Sequence, residues 1–350
     1  MDYIQGKIKQ NGHLWEYFTK AEEYRSSKLD KHGRFNYSMS CHKDVLEPRI
    51  SKFLIKSNLN LNYPMGKKFA ICLSHDVDDI YPTGIHSLLS IGHYFRKLDF
   101  EAITEHIGWR YFGKKTSPFM NFEEIINLEE QYGAKSTFFF LASKTDPIRP
   151  RYDVKDIKSE LLYIIKKGWE IGLHGSYYAY NDLEQIKREK EKLESVVLQT
   201  VKGYRSHYLR FDTPFTWNLL AKAGFNYDTT FGYSDMVGFR NGMCHPFEPF
   251  DLEKEINIDI LEIPLIIMDG ALFKNVDSLK EAWVTVKKIL DSVKDCSGVV
   301  TILWHNQSFA CPYKEEWKEM YEKILQYGYQ KNAWMTSGWE IYKWWKGEAY

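Results

Sequence analysis

One short segment limits the fold more than any other: an apolar run that ends abruptly in a histidine and three aspartates, Phe69-Ala-Ile-Cys-Leu-Ser-His-Asp-Val-Asp-Asp79. Its first six residues suit a strand that is buried on both faces, and such strands belong mostly to parallel sheets covered by helices. A closed parallel barrel houses its chemistry at the C-terminal ends of the strands, so Asp76, Asp78 and Asp79 are predicted to lie where a site would be built. Turn or helix-capping aspartates are the simpler alternative for any one of them.

Apolar strands alternate with amphipathic helices from Lys67 onward, which is typical of repeated βα units. The predicted strands span residues 69–74, 134–141, 169–173, 201–204, 226–230, 261–268 and 298–303, with 334–337 as an eighth. Polar residues end five of them, namely Asp76/Asp78, His174, Arg205, Asp269 and His305. A barrel brings these ends into one mouth, whereas an open doubly wound sheet would normally carry an early glycine-rich phosphate turn, which this sequence lacks.

We therefore predict a (β/α)7-8 barrel that begins at about residue 67, with an insertion at about residues 80–120; the resemblance described below extends this barrel over residues 67–345 and implies that it is distorted. Residues 1–66 are predicted to form an N-terminal extension, to which the sequence assigns no role. The sequence leaves homo-oligomerisation open.

Composition excludes several classes of partner. Lys+Arg and Asp+Glu are equal at 47 each, so no overall charge attracts nucleic acid or an anionic membrane. The five cysteines are widely spaced and form no C-x-x-C pair, which argues against a disulfide framework or a cysteine zinc site. The polar start and the lack of any apolar run of about 18 residues predict a cytoplasmic protein without membrane insertion. The partner therefore has to be inferred from a site, and the family resemblance described below implies a carbohydrate or another small molecule.

The strand-end residues form a set that can hydrolyse an acyl bond. Asp78 and His174 can hold a divalent metal while leaving positions open for water and substrate. Asp76, two residues before Asp78, points to the same strand face and suits a general base. Arg205 can keep that carboxylate ionised, and His305 can protonate a leaving amine or alcohol.

Four segments resemble, in this order, the successive motifs of the NodB-type polysaccharide deacetylases, carbohydrate esterase family 4: Leu-Ser-His-Asp76-Val-Asp78-Asp, His174-Gly-Ser, Tyr204-Arg205 and Leu303-Trp-His305. The resemblance covers roughly residues 67–345. It implies a distorted barrel that removes N- or O-linked acetyl groups from glycans. It also implies that Asp76 is the catalytic base, that Asp78 and His174 bind a divalent metal, expected to be zinc, and that His305 is the general acid. Arg205 falls on the arginine motif.

The chain departs from this pattern in two places. The family's second motif has another histidine four residues after the first, and Tyr178 stands there. Zinc affinity should then fall unless Tyr178, Tyr180, Asp79, His75 or His207 compensates. The arginine motif normally continues into proline, but here it continues through His207 and Arg210 to Asp212, which indicates a different substrate edge. The residues predicted to bind substrate are Asp79, Tyr178, His207, Arg210, Asp269 and Trp304.

Three functions follow from these residues. The first is a hydrolase that removes acetyl groups from a glycan or a glycan precursor, and the lack of a signal peptide favours the precursor. The second, favoured by Tyr178, is a metal-independent hydrolase of a small amide or ureide. The third is a catalytically silent glycan-binding barrel that uses the loop 232–250 and Trp304. Retention of Asp76, Arg205 and His305 together argues against the third, because a binding protein needs neither a base nor an acid.

Overall fold

The computed structural model describes residues 2–24, 26 and 28–348. Its main feature is a curled nine-stranded sheet. The strands are β1 Ala70–Val77, β2 Thr137–Leu141, β3 Glu170–Gly175, β4 Gly203–Ser206, β5 Tyr227–Asp228, β6 Leu261–Glu262, β7 Leu265–Met268, β8 Val299–Leu303 and β9 Trp334–Thr336. Their order is β6-β5-β4-β3-β2-β1-β8-β7, with β9 beside β1, and each pair is parallel.

Strand β1 lies inside the sheet and all eight of its residues are buried, as its apolar sequence predicts. It pairs with β8 on one side, and on the other side with β9 near its start and β2 near its end. The two strands at the ends of the sheet, β6 and β7, are consecutive in the chain and are joined by Ile263 and Pro264. The sheet therefore forms a distorted (β/α) barrel, and the predicted fold class is confirmed.

Helices surround this sheet and fill the connections between strands. They are α1 Asp2–Lys9, α2 Gly12–Thr19, α3 Ala21–Tyr24, α4 Arg49–Lys56, α5 Gly84–Arg96, α6 Phe100–Phe112, α7 Phe122–Gln131, α8 Lys158–Lys167, α9 Leu183–Val197, α10 Phe215–Lys222, α11 Asp269–Lys274, α12 Leu279–Asp295, α13 Gln307–Ala310, α14 Glu315–Gln330 and α15 Gly338–Lys346. Helices α5 and α6 lie within residues 80–120, where the sequence predicts an insertion. None of the helices in the described residues has both the length and the apolar character needed to cross a membrane.

One predicted strand differs in the structure. Residues 261–268 were expected to form a single strand, but they divide into β6 and β7 around Ile263 and Pro264. Pro264 has no backbone N–H, so it cannot continue a ladder of hydrogen bonds. The division is what allows one segment to supply both ends of the sheet.

The N-terminal extension packs against the barrel and shares its hydrophobic core. Ile8, Phe18 and Leu54 are buried in the same cluster as the barrel strands. Backbone contacts reinforce this packing, because the amide of Ile50 donates to the carbonyl oxygen of Gly242 at 3.0 Å. The extension is thus built into the same core as the residues that carry the predicted chemistry.

Candidate metal and catalytic site

Polar residues from several strand ends meet in one cleft at the C-terminal edge of the sheet. Asp76 lies in β1, His174 in β3 and Arg205 in β4, while Asp78 follows β1 and His305 follows β8. The cleft has a volume of about 180 Å³, and acidic, basic and apolar side chains line it: Arg34, Asp76, Asp78, His174, His207, Tyr208, Leu209, Ser234, Met268, Gly270, Leu303 and His305. Residues far apart in the chain thus share one mouth.

Three of these residues form a candidate metal site. Ligand atoms of Asp78, His174 and His207 all lie within 4.8 Å of one another. Oδ1 of Asp78 lies 3.2 Å from Nε2 of His174 and 3.4 Å from Nε2 of His207. This oxygen is buried and accepts no well-aligned hydrogen bond from the described residues. A carboxylate oxygen and two imidazole nitrogens are donors that Zn²⁺ and similar cations bind, so the residues present fit a divalent metal.

Both imidazoles have partners on the side away from Asp78. Nδ1 of His174 donates to the carbonyl oxygen of Arg205 at 3.0 Å, which leaves Nε2 without a proton when the ring is neutral. Nδ1 of His207 lies 3.5 Å from Oδ2 of Asp146, and that oxygen lies 3.0 Å from Nη2 of Arg151. The hydrogen bond of His174 is an outer contact of the kind that orients metal-binding histidines, whereas Oδ2 of Asp146 accepts no well-aligned hydrogen bond from the described residues.

The three side chains alter one another's protonation. Burial by itself raises the pKa of Asp78, but the imidazoles of His207 and His174 outweigh it and hold that pKa well below its usual range. Burial lowers the pKa of His174, but the carboxylates of Asp76 and Asp78 outweigh it and raise that pKa above its usual value. Burial dominates at His207 and lowers its pKa. A metal would therefore compete with a proton for His174 more than for His207.

Asp76 lies beside this site without belonging to the ligand group. Its Oδ1 lies 3.4 Å from Nη1 of Arg205, and its Oδ2 lies 3.6 Å from Nε2 of His174. Arg205 is fully buried and donates through Nε to Oγ1 of Thr229 and through Nη2 to Oγ of Ser74, each at 2.9 Å. These bonds fix the guanidinium, which in turn holds the Asp76 carboxylate at the edge of the cleft.

His305 lines the same cleft and approaches Asp78. Its Nδ1 donates to Oδ1 of Asp269 at 2.8 Å, and its Nε2 lies 3.9 Å from Oδ2 of Asp78. Asp269 is buried and also accepts hydrogen bonds from the backbone of His305 and from Ser308. Burial by itself lowers the pKa of His305, but Asp269 outweighs it and raises that pKa to about 10. His305 therefore carries a proton at neutral pH.

Two charged residues predicted to bind substrate lie outside the cleft. Asp79 forms ion pairs with Arg149 and Arg151, and both of its carboxylate oxygens lie 3.1 Å from Nη1 of Arg151. The guanidinium of Arg210 lies 4.1 Å from the ring centres of both Tyr177 and Tyr180. Asp79 and Arg210 thus interact with residues of neighbouring loops and do not line the cleft.

Two aromatic residues predicted to bind substrate also lie elsewhere. Tyr178 is half exposed and packs its ring edge-on against Tyr177. Trp304 is fully buried in the core, where its Nε1 donates to the carbonyl oxygen of Trp317 at 3.1 Å. Of the six residues in that predicted group, the structure brings His207 and Asp269 to the site.

His207 supplies the second imidazole of the candidate metal site. It begins the tight turn His207–Leu209 directly after β4, two residues beyond Arg205. The sequence named it, without preference, as one of five residues that could compensate for the absent histidine, and the choice among them depends on the direction of this turn. Its position just after a strand end is the signal that could have singled it out.

A second group of ligand-type residues among those described is less suited to a metal. Glu22, Cys41 and His42 have potential ligand atoms within 4.8 Å of one another. The carboxylate of Glu22, however, accepts hydrogen bonds from Ser40 Oγ at 2.6 Å and from the amide of Cys41 at 2.8 Å, and it is ion-paired with Lys20. The oxygens of Glu22 are therefore already engaged in contacts within the N-terminal extension.

His75, another residue considered as a replacement ligand, is buried in the core. Its Nδ1 donates to the carbonyl oxygen of Trp304 at 2.9 Å, and its Nε2 lies 2.9 Å from Oε1 of Glu129. We expect His75→Ala to lower the free energy of unfolding by about 2–4 kcal/mol, because it leaves a cavity and removes a partner from a buried carboxylate. Urea denaturation measures this loss, and elemental analysis should find the metal content unchanged. A variant that loses its metal but keeps its stability would contradict this assignment.

Comparison with known proteins gives the fold a context. No protein-family model matches the sequence, and no curated protein matches it. One similar solved structure is a protein from Mycobacterium smegmatis assigned as a polysaccharide deacetylase, with 18% identity, a TM-score of 0.53, and coverage of 81% of this chain and 92% of that one. The fold is that of the polysaccharide deacetylases. The allantoinase PuuE shares this deacetylase fold, with 14% identity, a TM-score of 0.55, and coverage of 82% and 93%.

Proposed function

We propose that this chain is a divalent-metal-dependent hydrolase that removes N- or O-linked acetyl groups from a glycan or a glycan precursor. The observation that carries the proposal is the group Asp78, His174 and His207, with Asp76 next to His174 and His305 next to Asp78. A base and an acid beside a candidate metal site suit the hydrolysis of an acyl bond. The deacetylase fold supports the same reaction class.

Asp78, His174 and His207 would hold the metal, and zinc suits their donor set best. When bound, the metal would lower the pKa of a water molecule and stabilise negative charge on the acyl oxygen. Two observations support this assignment: the Arg205 carbonyl oxygen orients the ring of His174, and the buried Oδ1 of Asp78 lacks a well-aligned donor.

Asp76 would take the proton from the attacking water. Arg205 orients its carboxylate, and the bonds from Arg205 to Thr229 and Ser74 keep that guanidinium in place. A base held in one orientation loses little entropy on reaching the reactive geometry. The distance of 3.6 Å from Asp76 Oδ2 to His174 Nε2 puts the base next to the candidate metal site.

His305 would donate a proton to the leaving nitrogen or oxygen. Its Nδ1 is bonded to Asp269, so its Nε2 is the atom that can reach the substrate. The raised pKa of about 10 keeps the ring protonated before the reaction. The leaving amine or alkoxide then takes that proton as the acyl bond breaks.

The apolar part of the cleft suits the methyl group of an acetyl substituent. Leu209, Leu303 and Met268 pack together and line the cleft next to the catalytic groups. Ligand pockets usually combine such an apolar wall with a few well-placed polar groups. The small volume of about 180 Å³ favours a single sugar substituent over a long polymer segment.

Acetate release from a panel of N- and O-acetylated sugars and oligosaccharides tests the proposal. The protein is loaded with Zn²⁺ or Co²⁺, and a metal-free sample serves as the control. We expect release from at least one class of substrate and none without metal. Absence of release from every substrate by metal-loaded protein would contradict the proposal.

A second candidate is hydrolysis of an amide bond in a small ureide without metal. The structural likeness to an allantoinase and the small cleft favour it. Ammonia or ureide products formed by the metal-free protein would support this reaction. The metal-type group at Asp78 makes it the weaker of the two candidates. If neither acetate nor ammonia or ureide products are formed, the remaining hypothesis is a catalytically silent glycan-binding barrel.

The pH dependence of the reaction should depend on Asp269. Because His305 must be protonated, activity should fall as the pH rises through the pKa of His305, which Asp269 raises to about 10. Asp269→Asn removes the carboxylate, so the proton is lost at lower pH and the alkaline limb of the kcat/KM profile should move down by about one pH unit or more. Ser308→Ala is the matched control, because it removes one hydrogen bond to Asp269 but leaves its charge. An unchanged limb in Asp269→Asn would exclude His305 as the acid.

A further inference from the structure

The N-terminal extension reaches the candidate site through one compact turn, residues 30–36. Asp30 is the centre of this turn, because its carboxylate accepts hydrogen bonds from the amides of His32 and Arg34 at 2.8 and 3.0 Å. It also accepts from Nε of Arg34 at 2.9 Å and from Nδ2 of Asn36 at 3.1 Å. Gly33 has a φ of 71°, which a glycine adopts without strain. The Arg34 guanidinium is therefore held in one position before any ligand arrives.

That guanidinium is bonded to the turn that carries His207. Nη1 of Arg34 donates to the carbonyl oxygen of Tyr208 at 2.7 Å. A second bond runs in the opposite direction, from Nε of Arg210 to the carbonyl oxygen of His32, also at 2.7 Å. The rings of His32 and Tyr208 pack together with their centres 4.9 Å apart. The extension thus contacts the segment after β4 at two residues, Tyr208 and Arg210.

The turn needs such support because its backbone is in an uncommon conformation. Tyr208 has a φ of 61° and Leu209 a φ of 52°, so two successive residues with side chains lie in the left-handed region. Residues of this kind persist there only when their surroundings hold them. His207 immediately precedes them and is buried in the cleft. A change of conformation at Tyr208 would therefore alter the direction of the His207 ring.

We propose that Arg34 is a positioning residue for His207, and that the N-terminal extension completes the candidate metal site by fixing the turn His207–Leu209. This inference rests on the proposed function, because it assumes that His207 is a metal ligand. It gives residues 1–66 a role that the sequence did not assign. Arg34 acts through the Tyr208 carbonyl oxygen and is not one of the candidate metal ligands.

The test is the affinity of the full-length protein for Co²⁺ alone, measured by competition with a chelator and by the visible absorption of the bound cobalt. We expect Arg34→Ala to bind Co²⁺ about 10-fold more weakly, at the lower end of the 10–100-fold effect of losing a direct outer partner, because Arg34 contacts Tyr208 and not His207 itself. Its absorption should also change, since a displaced His207 alters the coordination. Arg49→Ala is the matched control, because Arg49 lies in the same extension and bonds Asp44 through Nε and Nη2, but does not line the cleft.

A double-mutant cycle decides whether Arg34 acts through His207. In a His207→Ala background, where binding is already weak and is measured by direct titration with excess Co²⁺, Arg34→Ala should weaken Co²⁺ binding no further. If Arg34→Ala fails to fold, Arg34→Lys answers the question, since it keeps a cation beside Asp30 but cannot also hold the Tyr208 carbonyl oxygen in the same geometry. It should show a smaller loss in affinity than the alanine variant.

The outcomes separate this inference from the proposed function. Wild-type affinity and spectrum in a folded Arg34→Ala, or in Arg34→Lys where the alanine variant does not fold, would overturn the positioning role alone. So would a loss of affinity that persists undiminished in the His207→Ala background. A wild-type protein that binds no Co²⁺ would overturn the metal site itself and the inference that rests on it.

Discussion

Asp76→Asn is expected to reduce acetate release by a factor of about 10²–10⁴, which is the range that a positioned general base contributes. Asparagine has nearly the same shape as aspartate but cannot accept the proton of the attacking water. Arg205 and Thr229 remain in place, so the variant should fold. Initial rates of acetate release at saturating substrate and metal measure the effect.

Asp79→Asn is the matched control for this experiment. Asp79 lies three residues after Asp76, but its carboxylate is bonded to Arg149 and Arg151 away from the cleft. We expect the control to retain most of the wild-type rate. The Asp76 variant should also keep its metal, because Asp76 is outside the group of candidate ligands. Unchanged activity in Asp76→Asn would mean that another group is the base.

His174→Ala is expected to abolish near-stoichiometric metal binding, measured by elemental analysis of protein purified without a histidine tag. Removing one of three protein ligands should weaken binding by at least about 100-fold, since the loss of an outer partner alone costs 10–100-fold. His207→Ala should have a similar effect. Tyr178→Ala is the control and should keep its metal, because its side chain is half exposed and lies outside the cleft.

Metal binding should also weaken as the pH falls. The carboxylates of Asp76 and Asp78 outweigh the effect of burial and raise the pKa of His174, so its proton must be displaced before Nε2 can bind a cation. Chelator competition at several pH values measures this dependence. If the wild type holds no metal even after zinc or cobalt is supplied, the metal-dependent reaction is excluded and metal-free hydrolysis or binding remains.

Much of the fold could be predicted because its signals are local. An apolar run such as 69–74 can be covered on both faces only inside a parallel sheet, and alternating helices supply that cover. The structure confirms the barrel, with Asp76, His174 and Arg205 at the C-terminal edge of the sheet. The predicted segment 261–268 failed as one strand because the division at Pro264 depends on which strands flank each half.

The choice of substrate-binding residues could not be predicted in the same way. Arg210 and Trp304 have side chains suited to sugar binding, yet one is stacked between two tyrosines and the other is in the core. Asp79 directly follows a catalytic motif but turns toward Arg151. Residue type and position along the chain do not determine the direction of a side chain in a loop.

The sequence by itself determined the order of strands and helices, the strand ends at which polar residues gather, and the spacing that places Asp76 and Asp78 close together. These depend on residue periodicity and on short spacings along one strand. Only the tertiary structure decided that His207 joins Asp78 and His174, and that Arg34 from the extension reaches the turn behind it. Both depend on contacts between residues distant in sequence and on the left-handed backbone at Tyr208. Arg34 of the same chain supports that backbone, and no local sequence pattern encodes it.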